Sequence, residues 1–166
     1  MSGVLELDEE GYLNLLNTII VNRLGDAVDI ELFHDEDRVK ELVAEVHNYN
    51  VVVIMSNHDF EKVPAKYVIE FRLKKMAALG ADVPKLACMP HNAKDVFTLL
   101  SATNEVNEAI DNPLITMAMG DIGKVTRIAG QVFGSSLSFG AVGKTSAPGQ
   151  LSINDLRNAE NYLEIK

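Results

Sequence analysis

Two carboxylates lie close together in a short apolar run of the sequence, Val28 to Phe33. Asp29 and Glu31 are two positions apart, so their side chains would project from the same face of a strand. In a buried sheet they would share a confined space. Two other interpretations stay open. In the first, both carboxylates are solvated at a strand end. In the second, they belong to a Mg²⁺ site, although no third ligand stands at a diagnostic spacing.

A histidine and a lysine occupy comparable positions further along the chain. His58 ends the second apolar run, in Ser56-Asn57-His58-Asp59-Phe60, and a histidine there can act as a general acid and base near neutral pH. Lys85 stands at the head of an apolar strand, where a buried ammonium must find a partner or lose its proton. A deprotonated amine is a nucleophile toward a carbonyl carbon. The alternatives are a hydrogen-bonded structural histidine and a lysine that extends from the strand end into solvent.

Arg127 and a loop of small residues complete the candidate binding groups. Arg127 opens a helix after the fourth strand, and its guanidinium can hold a carboxylate by two hydrogen bonds, although a surface position is the alternative. Ser146-Ala147-Pro148-Gly149-Gln150 predicts either a mobile loop that closes over a ligand or an ordinary loop. Gly143-Lys144-Thr145 resembles the end of a phosphate loop. However, Ser138 replaces the glycine required five residues earlier, which argues against a nucleotide site.

Helices and strands that alternate along the chain must position these side chains. Apolar periodicity predicts helices over 12–24, 36–46, 64–79, 93–110, 124–133 and 153–163, and strands over 28–33, 51–55, 85–89, 114–119 and 136–139. Such alternation requires parallel strands with right-handed crossovers. The pattern fits an open doubly wound sheet or part of a β/α barrel. A complete eight-stranded barrel takes about 250 residues, so a barrel of 166 residues would be incomplete.

Composition and charge limit the class of protein. The 15 Lys and Arg residues against 24 Asp and Glu give a net charge of −9, which argues against binding to nucleic acid or to an anionic membrane. With 47% hydrophobic and 23% charged residues, the chain is typical of one globular domain, here expected to span 1–166. No run of about 18 apolar residues is present, and the acidic opening stretch does not resemble a targeting signal. The single Cys88 favours a reducing compartment, so a soluble cytoplasmic protein is predicted.

Seven motifs, taken in their order along the chain, resemble type I 3-dehydroquinate dehydratase, the Schiff-base dehydratase of the shikimate pathway of aromatic amino acid biosynthesis. They are Asp29-Ile30-Glu31-Leu32-Phe33, Ser56-Asn57-His58-Asp59-Phe60, Pro84-Lys85-Leu86-Ala87, Thr116-Met117-Ala118-Met119, Arg127-Ile128-Ala129-Gly130, Phe133-Gly134-Ser135 and Ser146-Ala147-Pro148-Gly149-Gln150. The resemblance covers the chain from about Tyr12 to its end. It implies an eight-stranded β/α (TIM-type) barrel, of which this chain carries the last five strands.

The resemblance also implies a hydro-lyase that converts 3-dehydroquinate to 3-dehydroshikimate and water. Lys85 would form an imine with the substrate ketone. His58 would assist imine formation, remove the proton next to the carbonyl and help water leave. A protonated imine acidifies the adjacent C–H bond, so neither a metal nor an organic cofactor is expected. The other implied substrate-binding residues are Arg127 at the carboxylate, Ser146 and Gln150 in the closing loop, Met117 and Phe139 in the pocket wall, and Asp29 and Glu31 beside the imine.

The chain departs from the family pattern before Tyr12. The family's first three strands have no counterpart, and the glutamate that orients the catalytic histidine would fall near Met1. We therefore expect His58 to lack its usual acidic partner, and we expect open sheet edges to favour association into a homodimer. Two alternatives to this enzyme remain. One is a catalytically silent module that acts by self-association or fragment complementation, and the other is a Mg²⁺-dependent lyase built on Asp29 and Glu31.

Overall fold

Four parallel strands form the sheet of this protein. The computed structural model describes residues 7–163, and the opening stretch before residue 7 lies outside them. The strands lie side by side in chain order. They are β1 (Ala27–Glu31), β2 (Val52–Asp59), β3 (Val83–Cys88) and β4 (Ile115–Ala118). Each strand is followed by a helix, so the predicted alternation with parallel pairing is confirmed.

Within the described residues, six α-helices accompany the sheet. They are α1 (Glu9–Val21), α2 (Glu36–Asn48), α3 (Lys66–Ala78), α4 (Ala93–Asn107), α5 (Gly120–Ala129) and α6 (Ile153–Leu163). Side chains of Asp8, Asp35 and Asn92 accept backbone N–H groups at the starts of α1, α2 and α4. None of these helices combines the length and hydrophobicity that crossing a membrane requires.

The main core lies between one face of the sheet and the first four helices. Ile30 and Leu86 from the strands, and Leu73 and Leu99 from the helices, have no solvent exposure. Alternate residues of a strand point to opposite faces of the sheet. The core residues of each strand cover one face of the sheet. The strand residues that alternate with them therefore project from the opposite face, where the candidate site lies.

The last predicted strand is not part of the sheet, which has four strands rather than five. The segment 136–139 follows a single bridge between Leu114 and Ser135. Its only backbone bond to the sheet edge is from Ser136 N–H to Leu114 O, at 2.7 Å. β4 itself has only four residues, so it offers this segment few backbone groups with which to continue the pairing.

Two site residues lie elsewhere in their elements than the sequence predicts. Lys85 is not at the head of its strand but is the third residue of β3. Arg127 does not open a helix but lies in the last turn of α5. In both cases the element begins earlier than expected, β3 at Val83 and α5 at Gly120. Proline and glycine disfavour strands and helices, so Pro84 and Gly120 give no local signal for the elements that contain them.

We predict that Leu99→Ala lowers the free energy of unfolding by about 2–5 kcal/mol, because it leaves a cavity in the core. Leu24 is 69% exposed, so the same substitution there should change this free energy by less than about 0.5 kcal/mol. Urea unfolding followed by circular dichroism measures both variants. Equal midpoints would contradict the assignment of Leu99 to the core.

Candidate active site

One face of the sheet brings the candidate catalytic groups together. Paired residues of neighbouring strands project to the same side, and the register aligns Glu31 with Ser56 and Ser56 with Lys85. His58 lies two residues after Ser56 and so projects from this same face. Lys85 and His58 both line a cavity of about 340 Å³. One small molecule can therefore contact both side chains.

Lys85 is held by a carboxylate of β1. Its Nζ donates to Asp29 Oδ2 at 2.7 Å, and the hydroxyl of Ser56 donates to Asp29 Oδ1. Only 12% of the Lys85 side chain is exposed. Its Nζ also lies 5.4 Å from the centroid of the Phe139 ring, within the range of a cation–π contact. Asp29 thus supplies the partner that a largely buried ammonium requires.

His58 is held by the second carboxylate of β1. Its Nδ1 is in hydrogen-bond contact with Glu31 Oε1, and its ring stacks on Phe60 with the centroids 5.9 Å apart. A carboxylate on Nδ1 fixes the ring orientation and leaves Nε2 for proton transfer. The sequence predicts that His58 lacks its usual orienting glutamate and leaves open which acidic group, if any, takes that place. Glu31, on the adjacent strand, makes this contact.

Arg127 is an unpaired cation beside the same cavity. Its side chain is buried, and Nε and Nη2 have no hydrogen-bond partner among the described residues. Burial lowers the pKa of the guanidinium, but an arginine still keeps its charge at neutral pH. A buried cation without a partner is costly. The position is therefore suited to a bound anion, and a carboxylate could accept two hydrogen bonds from it.

The loop after residue 139 forms one wall of the cavity. Ser146 and Gln150 line it, and Gln150 Oε1 accepts from the backbone N–H and the hydroxyl of Ser146 at 2.7 and 3.1 Å. Gly149 has a φ of +74°, and a Cβ there would lie 2.2 Å from Gly120 O. Only glycine fits this contact, so residue 149 fixes where the loop meets the start of α5.

Most of the predicted site residues converge on this cavity. The lining includes His58, Lys85, Met117, Arg127, Phe139, Ser146 and Gln150. Asp29 and Glu31 are not among the lining residues but contact Lys85 and His58. Ser56, which contacts Asp29, is a site residue that the sequence motifs did not single out. Its position two residues before His58 places it on the same face.

The described residues contain no group of three or more His, Cys, Asp or Glu side chains that could hold a metal ion. The structure therefore adds no third ligand to the alternative Mg²⁺ interpretation of Asp29 and Glu31. Each of these carboxylates contacts a different cationic or ionisable group instead, Asp29 the ammonium of Lys85 and Glu31 the imidazole of His58.

The curated relatives compared with this chain are named 3-dehydroquinate dehydratase. The family model described as Type I 3-dehydroquinase matches residues 1–166. The 3-dehydroquinate dehydratase of Lactiplantibacillus plantarum is 52% identical over 163 residues, which are 98% of this chain and 65% of the relative. The enzyme of that name from Listeria welshimeri is 50% identical over 161 residues, or 97% of this chain and 64% of the relative. The chain thus spans about 65% of the length of these curated relatives.

Solved structures of 3-dehydroquinate dehydratases share the fold of this chain. A type I 3-dehydroquinate dehydratase from Clostridium difficile matches with a TM-score of 0.92 and 44% identity, over 98% of this chain and 64% of that one. The 3-dehydroquinate dehydratase from Geobacillus kaustophilus matches with a TM-score of 0.94 and 34% identity, over 98% and 63%. The parallel strands and helices of this chain are therefore arranged as in these β/α-barrel proteins. On both sequence and structure, the chain belongs to the type I 3-dehydroquinase family.

Proposed function

We propose that this chain catalyses the dehydration of 3-dehydroquinate to 3-dehydroshikimate and water, a hydro-lyase reaction of the shikimate pathway, through an imine with Lys85. The observation that carries the proposal is that Lys85 and His58 line one cavity while each contacts its own carboxylate. Relatives about 50% identical are named 3-dehydroquinate dehydratase. The Clostridium difficile relative is described with covalently modified comenic acid, which supports covalent chemistry in the family.

Imine formation requires a neutral amine. The 2.7 Å contact between Lys85 Nζ and Asp29 Oδ2 provides an acceptor for one ammonium proton. The freed lone pair of Nζ then attacks the ketone carbon of the substrate. The former ketone oxygen receives one proton from Nζ and one from His58, and it leaves as water. The product of this stage is a protonated imine, with the C–N bond formed and the original C–O bond broken.

Elimination uses the imine as an electron sink. His58 Nε2 removes the proton from the carbon next to the imine, and the C–H electrons form an enamine. The enamine expels the neighbouring hydroxyl group, which takes a proton from His58 and leaves as water. Hydrolysis of the imine by a second water returns the ketone and Lys85. A positioned histidine contributes about 10²- to 10⁴-fold to such a step.

The other site residues bind and enclose the substrate in this proposal. Arg127 holds the substrate carboxylate, because its buried guanidinium has two nitrogens without partners among the described residues. Ser146 and Gln150 close the loop over that carboxylate. Met117 and Phe139 form the apolar part of the wall. Asp29 and Glu31 position Lys85 and His58 and do not themselves hold the substrate carboxylate.

We also propose that residues 1–166 are one cytoplasmic domain that corresponds to the carboxyl-terminal part of the relatives' barrel and forms a homodimer. Cys88 is buried and unpaired, and burial raises the pKa of its thiol to about 12, as suits an unreactive cysteine in a reducing compartment.

Tyr67 and Phe71, one helical turn apart on α3, are 73% and 64% exposed. Phe97, on the neighbouring helix α4, is 71% exposed. Exposed aromatic residues on packed helices support association between chains.

Borohydride trapping tests the imine. We expect incubation with 3-dehydroquinate and borohydride to give a single adduct, mapped by peptide mass to Lys85. Lys85→Ala should give no adduct, and His58→Ala should label slowly because Lys85 keeps its nucleophilic role while proton transfer is lost. Lys40, on the surface of α2, provides the control, since Lys40→Ala should label like the parent chain.

The same experiment separates the alternatives. Full labelling of Lys85→Ala would overturn the assigned nucleophile. An unmodified parent chain would favour the catalytically silent module. Turnover that gives no adduct and stops when a chelator is added would favour the Mg²⁺-dependent lyase, because imine chemistry needs no divalent cation.

We predict that Gly149→Ala raises the KM for 3-dehydroquinate about 10-fold, which is the effect of losing one or two hydrogen bonds to a charged ligand. The added Cβ would meet Gly120 O at 2.2 Å, so the loop must move away from the cavity. Gly143 has a similar φ of +83° but open space around it, so Gly143→Ala carries the backbone strain without the clash. Steady-state kinetics compares the variants, and an equal KM for both would show that the Gly149 contact does not govern binding.

Sedimentation tests the homodimer. We expect a species of twice the 18.2 kDa chain mass. Phe71→Ser should shift it toward the monomer by removing an aromatic side chain from the proposed interface. Tyr162 on α6 is 88% exposed, and Tyr162→Ser should leave the mass unchanged. A parent chain that sediments as a monomer would contradict the proposal.

A further inference from the structure

Tyr12, in the first turn of α1, reaches the outer edge of β1. Glu31 N–H donates to Tyr12 Oη at 3.1 Å, and Tyr12 Oη donates to Asp29 O at 3.4 Å. Successive residues of a strand direct their backbone groups to opposite sides. On the other side of β1, Leu32 N–H donates to Ser56 O of β2. One hydroxyl therefore binds the backbone of both residues that carry the site carboxylates.

The Tyr12 ring is held in place by contacts at its own end of α1. It stacks on His34 with the centroids 4.7 Å apart and the ring planes at 21°. Glu9, also on α1, lies 3.5 Å from His34 Nδ1 and accepts the Asp35 N–H at 3.0 Å. These contacts tie the start of α1 to the loop that follows β1. The hydroxyl therefore stays close to the strand edge.

The edge itself explains why this hydroxyl matters. In the described part of the chain, β1 is an outer strand of the sheet, with β2 as its one neighbour. The outward backbone groups of an edge strand have no ladder partners. Tyr12 donates one hydrogen bond and accepts another there, as a neighbouring strand would. Burial, and then the nearby carboxylates of Asp29 and Glu31, raise the pKa of Tyr12, which keeps the hydroxyl protonated as the donor.

We propose that Tyr12 is a positioning residue, whose hydroxyl sets the β1 backbone so that Asp29 and Glu31 reach Lys85 and His58. The inference rests on the proposed function, because it assigns Tyr12 a part in the imine reaction. Tyr12 does not line the substrate cavity. It acts through the two carboxylates, and its loss should affect the chemical steps more than substrate binding.

The test compares Tyr12→Phe with Tyr49→Phe. Both variants lose one hydroxyl, and Tyr49, which directly follows α2, packs against the main core. Tyr12→Phe keeps the ring that stacks on His34. We expect its kcat to fall about 3- to 10-fold with KM within about 2-fold, the effect of one lost hydrogen-bond pair. Tyr49→Phe should keep the kcat of the parent chain.

A readout without substrate separates positioning from stability. In ¹⁵N NMR at fixed pH, the His58 Nδ1 signal reports its contact with Glu31. In Tyr12→Phe we expect this signal to move from the parent position toward that in Glu31→Gln, whereas Tyr49→Phe should leave it in place. Urea unfolding of both tyrosine variants, followed by circular dichroism, checks that they fold.

The outcomes are distinct. An unchanged Nδ1 signal in Tyr12→Phe would overturn the proposal, even with a lower kcat, because the carboxylate would then hold His58 without the hydroxyl. A moved signal with an unchanged kcat would also overturn it. If the parent chain forms no adduct and does not turn over, the proposed function fails, and the part of the inference about Tyr12 and Glu31 is still decided by the NMR comparison.

Discussion

The candidate site depends on two carboxylates of one strand that hold the side chains of Lys85 and His58. The register aligns Asp29 with Ile54 and Glu31 with Ser56, yet Asp29 contacts Ser56 and Glu31 contacts His58. Both side chains therefore lean by two residues toward the carboxyl end of the neighbouring strand, as strand side chains often do. The lean brings Asp29 into reach of Lys85, two strands away, because a lysine side chain is long enough to cross the intervening strand. A single geometric feature of β1 thus determines the surroundings of both Lys85 and His58.

Among the described residues, the cavity has one cation without an acidic partner, although the whole chain is acidic. A net charge of −9 opposes binding to nucleic acid, but it does not determine the potential inside a cavity a few ångströms across. Asp29 is paired with the Lys85 ammonium and Glu31 contacts the His58 ring, whereas Arg127 has no acidic partner among the described residues. The uncompensated charge beside the cavity is therefore positive and buried, where electrostatic interactions are strongest. An acidic protein can in this way present a site suited to a small carboxylate.

Local patterns predicted most of the fold but not the contacts across it. The start of helix α6 at Ile153 was predicted as observed, because the Ser152 and Asp155 pair defines it within four residues of sequence. The two-residue spacing likewise placed Asp29 and Glu31 on one face. The pairing of Glu31 with His58 depends on strand register, and the reach of Tyr12 to β1 depends on how α1 packs. Neither leaves a local signal, since the partners lie 27 and 19 residues apart. The predicted starts of β3 and α5 were too late, because Pro84 is the second residue of β3 and Gly120 the first of α5, and these residue types disfavour a strand and a helix.

The residues proposed to bind the substrate carboxylate and those proposed to form the imine are held by different elements of this structure. Arg127 and the loop at Gly149 are supported by α5 and by the backbone of Gly120, which do not involve β1. Lys85 and His58 depend on β1, which is an edge strand within residues 7–163 and whose Asp29 carbonyl and Glu31 N–H bond one tyrosine hydroxyl. Local opening at this edge would leave the carboxylate site intact and would separate both reacting groups from their partners. Affinity for a carboxylate ligand therefore cannot distinguish an enzyme from a silent module, whereas formation of the imine requires the strand to be in place.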